Sequence, residues 1–242
     1  MKEIEKSSLM RKEENANEVE NYIEGILDIK NNLLFNSKEE IKIEELEVYI
    51  NNKKVKMKKE GIKYNFDTNI SKKKYKFKIS FKNLIKNINF EDCINLNIID
   101  FTNFDISNIT DMSWMFTKCH ELKEIKGINK FNTSKVTNMK GMFNECNKLI
   151  NLDLNFDTSN VTDMSWMFNK CQELKEIKGI DKFNTNKVID MNAMFQECNN
   201  LISLNLNFDT SKVFDMSKIF NKCYKLKEIK GINKFNTKKL NQ

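Results

Sequence analysis

Residues 146–170 read CNKLINLDLNFDTSNVTDMSWMFNK, and residues 171–197 read CQELKEIKGIDKFNTNKVIDMNAMFQE. Cysteine, leucine, phenylalanine and methionine recur at matching places, so the stretch is two copies of one unit. Working outward, Cys93, Cys119, Cys146, Cys171, Cys198 and Cys223 lie 26, 27, 25, 27 and 25 residues apart. Phe104, Phe131, Phe156, Phe183, Phe208 and Phe235 keep the same beat. A fixed period of this size marks a repeat architecture, in which a unit cannot bury its apolar face alone and closes its core only against its neighbours. Long units carrying Lys-Gly-Ile alternate with short ones carrying Leu-Asn/Asp-Leu, so the full period is a pair of units.

Each unit reads as two limbs. Leu149, Leu152 and Leu154 form L-x-x-L-x-L, a strand spacing that turns leucines inward and the intervening residues outward. Asp157-Thr158-Ser159-Asn160 supplies side-chain oxygens suited to a turn and a helix N-cap. Val161, Met164, Met167, Phe168 and Cys171 follow at i, i+3, i+6, i+7 and i+10, predicting a short helical or 3₁₀ return limb. The expected fold is therefore an α+β repeat: a leucine-rich-repeat solenoid with a parallel strand face, made of about six units of 25–27 residues over 90–242.

Upstream, the pattern differs. Residues 1–20 are charged and lack an apolar run, which predicts a disordered or loosely helical tail and neither a signal peptide nor an anchor. Over 21–89, Tyr75, Phe77, Ile79 and Phe81 alternate with lysines, as do Val55 and Met57, predicting strands with one wet face. Asn51-Asn52 suits a hairpin turn because Asn tolerates positive φ. This segment reads as a small antiparallel β domain that caps the first unit. Its residues 51–86 hold 13 lysines against Glu60 and Asp67, within a net charge of +7. The aromatic residues alternate onto the other face, so nothing interleaves to stack on bases and nucleic acid is not the expected partner. No stretch approaches the length of a membrane span, and a cytoplasmic location is expected, with the cell surface or secretion as the alternative.

The cysteines, one per unit within the apolar pattern, read as a core ladder of reduced thiols. No C-x-x-C or Cys/His cluster suggests a metal. His120 is the lone histidine, and the matching positions Ile94, Asn147, Gln172, Asn199 and Tyr224 mark a surface slot. Trp114, Gly141, Trp166, Ala193 and Lys218 share one position, large against small. Interlocking packing is expected there, with Trp114 and Trp166 as possible aromatic anchors. Without a second histidine, a phosphate loop or a carboxylate pair that breaks the repeat, neither an enzyme nor a cofactor is expected.

The run FDTSNVTDMSWMFNKCQEL at 156–174 resembles the BspA-like leucine-rich repeat of bacterial surface antigens and lipoproteins, which also occurs in protists. The likeness recurs over about residues 90–240. It implies a leucine-rich solenoid used for adhesion or protein recognition, with no catalytic residues to carry over.

The outward strand positions are thus the expected partner-binding surface. They are Asp100, Lys126, Asp153, Lys178, Asn205 and Lys230, with Lys123, Glu124, Lys175, Glu176, Lys227 and Glu228. The expected role is a non-catalytic protein-interaction module, and the alternative is an adhesin for host matrix or glycans. Sequons at Asn69, Asn108, Asn132 and Asn160 bear on that alternative. An exposed C-terminal strand edge would favour self-association.

Overall fold

A computed structural model describes residues 21–28, 33–37, 41–66 and 74–235. The expected tail at 1–20 and the sequon at Asn69 lie outside these residues. The first strands are β1 (Tyr22–Asp28), β2 (Leu33–Asn36), β3 (Leu46–Ile50), β4 (Lys53–Lys54), β5 (Met57–Glu60), β6 (Lys63–Phe66) and β7 (Lys74–Phe81). In β7, Tyr75, Phe77, Ile79 and Phe81 are buried while Lys74 and Lys76 are exposed. Asn51 and Asn52 both take positive φ, +47° and +64°, and turn β3 back onto β4, the twist-matched geometry of a tight hairpin. The alternation through Val55 and Met57 does not form a single strand. The chain leaves β4 at Val55 and β5 joins a different sheet, ordered β2-β6-β5.

The repeats contribute β8 (Leu96–Asp100), β9 (Glu124–Lys126), β10 (Asn151–Asp153), β11 (Glu176–Lys178), β12 (Ser203–Asn205) and β13 (Glu228–Lys230). Strand β8 pairs antiparallel with β1 and parallel with β9, giving a mixed six-stranded sheet ordered β4-β3-β7-β1-β8-β9. The two remaining sheets are the parallel pairs β10-β11 and β12-β13. The boundary expected near residue 89 is thus crossed by hydrogen bonds, and one apolar cluster runs from Ile23 to Phe235.

This overturns the expected α+β leucine-rich solenoid. Among the described residues there is no α-helix, the strands are divided among four sheets, and no continuous parallel strand face closes a solenoid. The reason lies in where the backbone donors go. In the limb read as helical, the amides of Met164, Trp166, Phe168 and Lys170 donate to Asp190, Asn192, Met194 and Gln196 of the next unit at 2.7–3.0 Å. The intervening amides close i→i+3 turns, such as Asn169 onto Trp166 at 3.0 Å. Trp166 and Lys170 sit at φ +63° and +58°, which no right-handed helix accommodates. The apolar stripe is real, but turns and lateral bonding bury it, with Val161, Met164, Met167, Phe168 and Cys171 all inaccessible.

Units lie one over the next through isolated parallel bridges that run Asp111, Asn138, Asp163, Asp190, Asp215. Phe90, Phe116, Phe143, Phe168, Phe195 and Phe220 stack ring on ring at 5.4–5.8 Å between centroids. In each long unit a glycine at positive φ, Gly127, Gly179 or Gly231, leads into a three-residue 3₁₀ turn. A Cβ at Gly179 would fall on the carbonyl oxygen of Leu154 in the unit beneath. The Lys-Gly-Ile signature is thus a close backbone approach.

Candidate functional site

Strand pairing sets the geometry of the outward surface. Each long-unit strand bonds to the short-unit strand before it, in the registers Asp100 to Lys126, Asp153 to Lys178 and Asn205 to Lys230. Between β9 and β10 there is no ladder, because they belong to different sheets. A groove of about 400 Å³ opens over this interruption, lined by Glu124, Lys126, Asn151, Asp153, Glu176 and Lys178 around the edges of Ile125 and Leu152. Five of the twelve expected binding residues converge there. Asp100 is half-buried and accepts a hydrogen bond from the Thr102 amide at 2.8 Å. Asn205, Glu228 and Lys230 lie outside the groove on the last strand pair, where Lys230 Nζ and Glu228 Oε1 are 4.0 Å apart. Lys123, Lys175 and Lys227 are exposed one position ahead of their strands.

The other singled-out residues are elsewhere. Trp114 and Trp166 occupy the turn limb at φ +61° and +63°, and a Cβ at Gly141 would strike the Trp114 ring. Trp166 remains 37% exposed. His120 Nδ1 lies 2.7 Å from Asn147 Oδ1 and 3.0 Å from the Glu145 carbonyl. Both partners accept, so Nδ1 carries the proton and bridges two units. Each cysteine Sγ–H donates to a backbone carbonyl, as from Cys171 to Phe143 at 3.1 Å. Cys93, Cys119, Cys146, Cys171 and Cys198 are fully buried, and burial pushes their thiols well above the usual range. Cys223 is half-buried and is pushed up to about 11, again by burial.

Two columns escaped sequence reasoning. The residue before each cysteine, Asp92, Lys118, Glu145, Lys170, Glu197 and Lys222, alternates in sign and stands at φ +58° to +61° throughout. These residues form ion pairs from unit to unit: Lys118 to Asp92 at 3.5 Å, Lys170 to Glu145 at 3.1 Å and Lys222 to Glu197 at 2.9 Å. Reading the position ahead of each cysteine through the repeats would have found them. The second column is Asp111, Asn138, Asp163, Asp190 and Asp215, where each side chain accepts the amide two residues on at 2.7–3.0 Å. Among them, Asp190 is raised, chiefly by burial and also by the flanking Asp163 and Asp215, against its bond from Asn192. Asp215 is also penalised by burial, but the Ser217 amide and hydroxyl and the Asn192 side chain together hold it below the usual carboxylate value.

Two stretches, residues 82–179 and 171–242, match a family described as Mycoplasma protein of unknown function, DUF285. The chain belongs to the DUF285 family. The match covers the repeats and leaves β1 to β7 of this DUF285 chain outside it. Comparison with curated proteins and with solved structures gives no match. Among the described residues of the DUF285 chain, no helix is long and apolar enough to cross a membrane, and no cluster of three His, Cys, Asp or Glu side chains could hold a metal ion.

Proposed function

We propose that this DUF285 chain is a non-catalytic protein-interaction module whose partner engages the outward residues of the short strands and the groove beside β9. The groove is the observation that carries the reading. It combines a break in strand pairing with a rim of both charge signs, Lys126 and Lys178 beside Glu124, Asp153 and Glu176. Mixed-sign rims of this kind select a partner by electrostatic complementarity, through association rate and register more than raw affinity. The likeness of residues 156–174 to BspA-like repeats, whose bacterial members are surface antigens and lipoproteins, also supports a recognition role.

The test is affinity capture from the source cell with the wild-type chain and the K126E/K178E/K230E variant. All three lysines are exposed, so circular dichroism and the melting temperature should be unchanged. The expected result is a protein retained by the wild type and lost from the reversed variant. Identical sets retained by both would overturn the assignment.

A further inference from the structure

Resting on that reading, we infer that the partner segment runs along the direction in which units stack, as an extended chain with a carboxylate at every fourth residue and an apolar side chain midway between, all on one face. The position four residues after each cysteine reads Asn97, Lys123, Ile150, Lys175, Ile202 and Lys227 through successive units, and beyond the buried Asn97 lysine alternates with isoleucine. Backbone bonds tie each lysine to the residue before it in this row, Lys123 N–H to Asn97 O at 2.9 Å, Lys175 N–H to Ile150 O at 2.8 Å and Lys227 N–H to Ile202 O at 2.9 Å. Ile150 and Ile202 are 36% and 51% exposed. They stand out because the leucines that flank them, Leu149, Leu152, Leu201 and Leu204, are buried. The row is therefore a surface stripe of lysine alternating with isoleucine. Among the described residues, none of its three ammonium groups is in an ion pair.

Direction and spacing follow from the packing. Ring columns advance 5.4–6.3 Å per unit, so lysines two units apart are separated by about 11–13 Å, which four residues of extended chain at about 3.4 Å each match while keeping their side chains on one face. A segment lying along one strand would instead meet Lys123, Glu124 and Lys126 of a single unit, with the sign changing at each contact. Only the stacking direction repeats one sign at a constant interval. The adjoining row of Glu124, Glu176 and Glu228 repels carboxylates, so the partner's opposite edge is neutral or basic. Like-charge juxtaposition of this kind excludes wrong partners and fixes register.

The probe is a synthetic peptide of repeated Glu-Thr-Val-Thr quartets about nine residues long, a length that spans the row at about 3.4 Å per residue. It is compared by fluorescence anisotropy with a peptide of identical composition whose glutamates are contiguous, and with repeated Lys-Thr-Val-Thr. The expected result is binding of the Glu-Thr-Val-Thr peptide about tenfold tighter than of the contiguous one. The K123E/K175E/K227E variant should lose that peptide and gain the Lys-Thr-Val-Thr peptide. The I150S/I202S variant should weaken binding by a similar factor at low and high salt, since apolar contact is not screened. Equal affinity for spaced and contiguous peptides, or full affinity in the isoleucine double variant, overturns the inference. If neither peptide distinguishes these variants while K126E/K178E/K230E still loses its captured protein, the interaction role stands and this geometry falls.

Discussion

Asp190 is the residue at which the repeat works against itself. Its carboxylate accepts the Asn192 amide at 2.8 Å between Asp163 and Asp215 in the bridge column, and burial raises its pKa above the ordinary value. A carboxyl whose folded pKa exceeds its unfolded one favours folding only while protonated. That contribution is complete below the unfolded pKa and is lost as pH rises through the folded one. At neutral pH the ionised group is therefore a cost. Asn138 occupies the same column and keeps the same turn, accepting the Lys140 amide at 3.0 Å. Asp190→Asn should accordingly raise the melting temperature by a few degrees at pH 7, with the gain shrinking as the pH falls toward about 4. A gain that grew on acidification would contradict this account. The column was not evident from sequence because Asp and Asn two residues ahead of Ser, Lys or Asn suit any turn. Only the bridges reveal that the carboxylates are neighbours.

Within the turn limb, the decisive element property is a residue in the left-handed region at a fixed place in every unit. Trp114, Gly141, Trp166, Ala193 and Lys218 hold φ between +53° and +63°. For a residue with a Cβ this conformation costs about 1–2 kcal/mol, and only Gly141 escapes the penalty. Lys218 is exposed and is in no ion pair among the described residues, so Lys218→Gly should stabilise the chain by about 1 kcal/mol in urea unfolding. Lys178→Gly, at an ordinary strand position of β11, should instead cost about 0.5–1 kcal/mol. The same sign for both substitutions would refute the conformational argument. The large-against-small alternation from Trp114 to Lys218 was legible in the sequence, as was the apolar stripe beside it. The left-handed backbone was not, because tryptophan, alanine and lysine carry no propensity for it and lateral hydrogen bonds impose it.

Taken whole, the molecule is one continuous core beneath several sheets, and the joint between its two sequence regions is β1 against β8. Gly25 lies opposite Ile99 on one side and Phe77 on the other. A Cβ there would fall on the Ile98 carbonyl oxygen and come within 2.7 Å of the Phe77 ring. Gly25→Val should therefore force the β1–β8 contact apart and split one cooperative unfolding transition into two, read by calorimetry. A single, merely lowered transition would show that the joint does not couple the regions. What the amino-acid order determined by itself was the period of the units, the pairing of long with short, and which side chains face inward, because covalent spacing and side-chain polarity are local properties. Only the tertiary structure decided that the return limb is not helical, that the strands pair two by two with a groove at the break, and that the first repeat is sewn into the N-terminal sheet. Those outcomes depend on which distant carbonyl each amide reaches, and a backbone donor is the same group in every residue but proline, so residue identity does not encode its partner.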